Sequence, residues 1–359
     1  METEFSKPVQ NYLQVRRWTI GLLVAVAMSS CQTQANQPVA PSSAVQSATT
    51  DCRAVIHEMG ETEICGTPQR IVGLGPYVLE PLLTLEAQPI AYADHIAFHQ
   101  GDYTDPGQQI PYLGSQITQP IANVGLAYTP SIEALAKVNP DLILGTKLMN
   151  AEQYETLSKL APTVMVEYDH TEKSLKTIAH TLNRPEQANQ LLAQTAEQVD
   201  AAQKAFATLV KTHPKVALLS ASEALEITVS YDGGLCRSLV ETLGFQLVFP
   251  SGLDQGNSNT SVPISLEALP QFNDADLVIL LGHNFSDLKQ FEGMDRFEEQ
   301  QLSKLKQAWE ENEIAQSLNA SKAGRVYFIP TYLCAGLPGT IGTELYLEEL
   351  KQQLLTSGG

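Results

Sequence analysis

Apolar and polar positions along this chain fall into blocks whose period changes. From Arg70, short aliphatic runs (RIVGL, PIAYA, DLILG and PTVMVEY) alternate with stretches whose apolar residues recur at helical spacing (YVLEPLLTLEA, SIEALAKVN, AEQYETLSKLA and EKSLKTIAHTLN). A continuous apolar run bounded by polar punctuation predicts a strand covered on both faces, and helices between such strands predict a mainly parallel sheet with helices on both sides. The alternation restarts at Lys215 with KVALLSA and LEITVS, then LCRSLVETLG, SLEALPQF, ADLVILLG, LSKLKQAWEENEIAQSL, RVYFIP and TELYLEELKQQLL. Ahead of the first series, DCRAVIHEMGETEICG alternates polar and apolar residues around Gly60 and predicts a short hairpin. A long loop is expected from Asp94 to Pro120.

Between the two series lies PEQANQLLAQTAEQVDAAQKAFATLVKTH, bounded by Pro185 and Pro214. Leu191, Leu192, Thr195, Val199, Ala202, Phe206 and Leu209 recur at helical spacing and form one apolar stripe on a polar surface. At 1.5 Å per residue such a helix is about 40 Å long, roughly the span of a small domain. The expected fold class is therefore α/β, with two Rossmann-like lobes (residues 52–183 and 214–359) joined by a single long helix (residues 184–213).

One phrase occurs in both series. SIEALAKVNPDLILG begins at Ser131 and SLEALPQFNDADLVILLG at Ser265. In each copy the serine can cap a short helix by accepting a bond from an unpaired backbone N–H, and Glu133 or Glu267 falls in the first turn, where the helix dipole favours negative charge. The echo occupies the same relative place in each half and marks two lobes of similar build.

The N-terminus carries a different signal. Arg16 and Arg17 precede WTIGLLVAVAM, an apolar run too short for a bilayer core of roughly 30 Å but suited to a cleavable export signal. Met28-Ser29-Ser30-Cys31 follows and resembles a bacterial lipobox, in which the cysteine is lipidated and becomes the first residue of the mature chain. No longer twin-arginine motif accompanies the arginine pair, so general secretion is the expected route. The next stretch, QTQANQPVAPSSAVQSATT, has no charge and no aromatic residue and reads as a tether. Residues 1–31 are thus assigned to a leader and residues 32–51 to a linker to the membrane.

A formal charge of −18 and a pI near 4.7 lack the basic footprint of phosphate binding, which argues against a nucleic-acid partner. Removing the leader deletes Glu2, Glu4, Lys7, Arg16 and Arg17 and leaves the remainder slightly more acidic. Beyond Cys31, four cysteines remain in a chain bound for an oxidising compartment: Cys52, Cys65, Cys236 and Cys334. Four cysteines allow three connectivities; pairing across the shortest loop joins Cys52 to Cys65 and leaves Cys236 with Cys334. No CxxC or Cys/His spacing supports zinc.

Motifs for chemistry are sparse. RIVGLGPY places Gly73 and Gly75 between a strand and a helix, but Val78 stands where a third glycine belongs, and Pro76 removes an N–H from the turn that faces pyrophosphate. His95 and His99 in HIAFH are four apart, yet Gly101, Pro106 and Gly107 cut short any helix that would align them on a metal. HEMGE at His57 lacks a second histidine, and no GxSxG or paired-carboxylate signature is present. A secreted α/β enzyme remains an alternative without a motif to support it.

The layout as a whole, from the leader with its lipobox through RIVGLGPYVLEPLLTLEAQPIAYA, PSIEALAKVNPDLILG, the long helix, ISLEALPQFNDADLVILL and AGRVYFIP, resembles the periplasmic binding proteins of iron-siderophore and cobalamin ABC importers. CRAVIHEMGETEICGTPQRIV is most similar to cyanobacterial-type ferric-siderophore binding lipoproteins. The resemblance implies the class III periplasmic binding protein fold, in which a rigid helix joins two lobes and cargo sits in the cleft between them. It implies a monomeric, periplasmic, membrane-anchored binding protein with no enzyme activity and no resident cofactor, iron arriving only as siderophore-bound cargo. In that family a glutamate in each lobe's repeat, matching Glu133 and Glu267, meets arginines on the two copies of the membrane permease. Ligands of open α/β sheets bind outside the carboxyl ends of strands. The loops there offer Tyr77, His95, His99, Tyr103, Tyr128 and Lys147 in the first lobe, and Ser222, Tyr231, Arg237, His283, Asn284, Phe285 and Tyr332 in the second. Lys147 and Arg237 suit an anionic chelate and the aromatics suit the walls of its site. Cobalamin, haem or a free metal ion are the alternative cargoes.

Overall fold

The structure is a computed structural model that describes residues 51–230, 234–251, 261–285 and 293–356. The leader, Cys31, the linker up to residue 50 and Tyr231 lie outside the described residues. A hairpin comes first, β1 (Cys52–His57) against β2 (Gly60–Cys65), with Cys52 opposite Cys65 and their sulfurs joined. Then follow β3 (Ile71–Leu74), β4 (Pro89–Asp94), β5 (Ala122–Leu126), β6 (Thr129–Pro130), β7 (Leu142–Thr146) and β8 (Thr163–Val166). They form one sheet in the order β6-β5-β4-β3-β7-β8, parallel except for β5 with β6. Every residue of β3, β7 and β8 is buried, as expected of strands covered on both faces. The chain reverses its direction of travel across the sheet between β3 and β7, so a crevice opens at their carboxyl ends. Gly75 turns the chain out of β3 with φ 101°, a conformation costly for any residue with a Cβ. Gly75 of RIVGLGPY thus serves the turn into helix Pro76–Thr84, while Gly73 lies within β3.

The second sheet holds β9 (Lys215–Ser222), β10 (Ile227–Ser230), β11 (Gln246–Leu247), β12 (Ser261–Ile264), β13 (Leu277–His283) and β14 (Val326–Pro330). Its order is β12-β10-β9-β13-β14, with β11 beside the start of β9. The β9, β13 and β14 pairings are parallel, whereas β10 runs antiparallel to β9 and β12, so this lobe is less regular than a purely alternating pattern predicts.

The repeated phrase also folds differently in its two copies. Ser131 caps helix Ile132–Val138, accepting from the Ala134 N–H at 3.2 Å. Ser265 does not cap: residues Leu266–Phe272 form a 3₁₀ helix and the serine side chain makes no cap bond. Pro270 lies inside that segment and has no N–H for an α-helical bond, which favours the tighter turn. The Glu267 carboxyl is instead held below its ordinary pKa first by the backbone N–H of Glu267 itself and then by the Ser265 hydroxyl.

The long helix spans Pro185–Thr212 and has 28 residues. Ala188 packs in the core of the first lobe with Leu191 and Leu192, while Ala202 and Phe206 pack in the core of the second with Val199 and Leu209. Each end of one rigid rod is thus buried in a different core. A further cluster belongs to both lobes: Leu79, Tyr92, Phe98, Ile110 and Leu113 pack with Phe297, Tyr332 and Leu337. Glu80 completes the seam. Only 1% exposed, its carboxylate accepts the backbone N–H groups of Gly339 and Gly342 at 2.8 and 2.9 Å, at the start of helix Thr340–Thr356. A Cβ on Gly339 would lie 2.7 Å from that carboxyl carbon, so the close approach requires glycine.

Burial pushes the Glu80 pKa up to about 7, against the opposing pull of the backbone N–H groups of Gly342, Gly339 and Ile341. A carboxyl that binds its proton more tightly when folded stabilises the fold most below its unfolded pKa, and that contribution declines as pH rises through about 7. The melting temperature of the natural chain, compared with that of Glu80→Gln across pH 4 to 8, is expected to lose ground to the variant as pH rises. A gap that stays constant with pH would show that folding does not perturb Glu80.

Candidate ligand-binding cleft

Between the lobes lies a cavity of ≈ 460 Å³. The first lobe contributes Leu148, just after β7, and Tyr168 and Asp169, just after β8. The second contributes Ser220 of β9, Thr228 of β10, the start of helix Leu235–Thr242, Val248 and Phe249, and Thr331, Cys334 and Ala335 after β14. The Tyr168 hydroxyl donates to the Ala335 carbonyl at 2.9 Å and bridges the lobes at the cavity wall. Tyr168 and Pro338 also line a smaller cavity of ≈ 80 Å³ beside Glu80.

Of the residues expected from sequence, Arg237 lines the larger cavity. Its guanidinium is held by Glu241 at 3.0 Å and lies 5.3 Å from the centre of the Phe249 ring, so an oriented cation sits on an aromatic wall. Lys147 stands beside the cavity residue Leu148, and its ammonium is 3.6 Å from Glu167. Burial, and then the nearby Glu58, raise the Glu167 pKa, while Lys147 opposes the rise. Tyr77 stacks edge-on with Tyr168 at 4.7 Å and with His95 at 5.6 Å, and burial pushes its phenol pKa up. The Nδ1 of His95 is 2.8 Å from the buried Asp94 carboxylate, and its ring lies 5.5 Å from that of Tyr332.

The remaining expected residues make local contacts of their own. Residues 95–99 form bends, not a helix, so His95 and His99 do not share a face; His99 Nε2 lies 3.2 Å from the Asp102 carbonyl. Tyr103 and Tyr332 are 2% and 3% exposed and belong to the core shared by the lobes. Their rings are drawn inward because that seam needs large apolar groups from both sides. Tyr128 is exposed. His283 stacks on Phe285 at 5.2 Å; burial lowers its pKa, with Glu226 opposing. The Asn284 backbone N–H donates to Gln301, and the Ser222 hydroxyl accepts the Glu226 N–H. Tyr168, Asp169 and Phe249 were missed by the sequence reading. Tyr168 is the last residue of the run PTVMVEY and Asp169 the next, both just past the end of β8 at Val166, and position just beyond a strand end is the signal that could have found them.

Among the described residues, one cluster has metal-ligand composition, Cys52, Glu63 and Cys65. Its two sulfurs are bonded to each other and offer no thiolate. The second disulfide joins Cys236 and Cys334.

Two α/β lobes pinned by a shared core and one through-running helix, with a cavity at their strand ends, define a cleft-type binding protein. Residues 76–333 match the family described as "Periplasmic binding protein", and the chain belongs to that family. It is 26% identical to the Fe(3+)-citrate-binding protein YfmC of Bacillus subtilis, covering 85% of this chain and 86% of that one. It is 25% identical to the probable siderophore-binding lipoprotein YfiY of the same organism, covering 93% and 96%. Among solved structures it resembles Staphylococcus aureus SirA complexed with staphyloferrin B, with a TM-score of 0.66 at 23% identity over 84% of this chain and 98% of that one. The fold is also that of Bacillus subtilis FeuA complexed with ferri-bacillibactin, with a TM-score of 0.63 at 18% identity, covering 85% and 100%.

The Tyr168 hydroxyl is one of the polar ties across the seam. Tyr168→Phe is expected to lower the free energy of unfolding in urea by about 1 kcal/mol with no change in the slope. A loss within the error of the extrapolation would mean that the bond to Ala335 adds nothing net.

Proposed function

We propose that this protein is the substrate-binding component of an ABC importer and captures a ferric siderophore complex between its lobes. The observation that carries this reading is the cavity at the strand ends, walled by both lobes and furnished with an aromatic-backed cation, Arg237 over Phe249, and with Tyr168. A ferric chelate presents anionic oxygens around a bulky core, and an oriented guanidinium with aromatic walls complements both features. The Fe(3+)-citrate and siderophore-binding relatives support the same cargo class. The protein acts as a monomer in the periplasm, carries no cofactor of its own, and is held to the membrane by a lipid on Cys31.

Glu133 and Glu267 are its permease contacts. Both are exposed, in the first turn of the equivalent short helix in each lobe. A single chain that docks on a two-fold symmetric permease needs one such acidic contact per lobe.

Fluorescence quenching of the purified protein by ferric citrate, ferric hydroxamates, ferric catecholates, haem, cobalamin and free metal ions tests the cargo. Saturable quenching by a ferric chelate is expected. Binding of haem or cobalamin alone would transfer the protein to another cargo class, and turnover of a substrate without chelate binding would make it an enzyme. For docking, Glu133→Arg/Glu267→Arg is expected to abolish chelate uptake in cells while leaving affinity unchanged; normal uptake by that double variant refutes the docking role.

A further inference from the structure

We propose that the Cys236–Cys334 disulfide is a positioning element of the cleft, holding the helix that carries Arg237 against the seam between the lobes. This deepens the binding function proposed above and rests on it. Both cysteines line the cavity, although 98 residues separate them in sequence. Cys236 directly precedes Arg237 in helix Leu235–Thr242, which has only 8 residues and no side-chain cap. So short a helix has little stability of its own and takes its orientation from what grips it. Leu239 and Val240 anchor its inner face in the core, and the Tyr346 hydroxyl donates to the Cys236 carbonyl at 3.2 Å. The disulfide is the covalent grip at the end that faces the cavity.

Cys334 sits in a single π-helical turn, Tyr332–Gly336, closed by the Leu337 N–H on the Tyr332 carbonyl at 3.1 Å. Consecutive residues of this turn face different structures. The ring of Tyr332 packs against His95 and Tyr112 of the first lobe, Cys334 bonds to Cys236, and the Ala335 carbonyl accepts from Tyr168 across the cleft. The turn therefore ties the lobe seam to the Arg237 helix, and the sulfur bridge is the tie. The hairpin disulfide Cys52–Cys65 supplies an internal control, since it joins two neighbouring strands and is exposed at both ends.

The test uses the tightest binder among ferric citrate, ferrioxamine B and ferric enterobactin. Cys236→Ser/Cys334→Ser is expected to lose at least tenfold in affinity, and Cys52→Ser/Cys65→Ser none. If the bridge acts through Arg237, its removal in an Arg237→Ala background has little further effect, because coupled residues are non-additive. Additive losses, or unchanged affinity in a folded Cys236→Ser/Cys334→Ser protein, overturn the proposal. Where that variant does not fold, the natural chain supplies the readout. Dithiothreitol delivers two electrons and two protons to a disulfide, leaving two thiols and closing itself to a cyclic disulfide. Bound chelate is expected to slow reduction of Cys236–Cys334 and not of Cys52–Cys65, followed by alkylation and mass spectrometry. Equal rates with and without chelate count against the bridge. If none of the three chelates binds the natural chain, the binding function itself fails and this inference falls with it.

Discussion

Two lobes in one chain are free to rotate unless something makes rotation costly. Here the cost comes from a helix whose two ends are buried in two different cores, Ala188 in the first and Phe206 in the second, and from a third cluster to which both lobes contribute. Parting the lobes would expose the rings of Phe98, Phe297 and Tyr332 to water at about 25 cal/mol per Å² of apolar surface. It would also break the hydrogen bonds that the Glu80 carboxylate accepts from the backbone N–H groups of Gly339 and Gly342. The cleft is consequently a preformed space, and less of the binding energy is spent on ordering it.

That rigidity shapes the chemistry of the cleft. In a chain with a charge of −18, Arg237 in the cavity wall is held by Glu241, and Lys147, next to the cavity residue Leu148, by Glu167. A guanidinium fixed in this way and laid over Phe249 is already oriented for planar oxygen acceptors. The same carboxylates moderate its charge, so recognition rests on shape and aromatic contact as well as on ion pairing.

The two copies of one phrase show how local chemistry and global position divide the work. SIEAL and SLEAL begin alike, but a proline within the second segment favours a 3₁₀ helix over an α-helix, and its serine makes no cap bond. Both glutamates nevertheless end exposed in the first turn, because that exposure depends on where the segment sits at the edge of its sheet.

The sequence by itself determined the elements and their order: the hairpin, the strand and helix alternation, and the long helix between two prolines. These follow from hydrophobic period and from Gly and Pro punctuation, which act within a few residues of chain. Tertiary structure alone decided which loop residues face the cleft. Tyr103 and Tyr332, plausible wall residues by position, were drawn into the shared core, while Tyr168 and Phe249 became walls. The antiparallel edge of the second sheet was equally hidden, since LEITVS reads the same in either direction. Contacts between residues far apart in sequence leave no periodic trace, so the site could be placed at strand ends but its members could not be chosen until the lobes met.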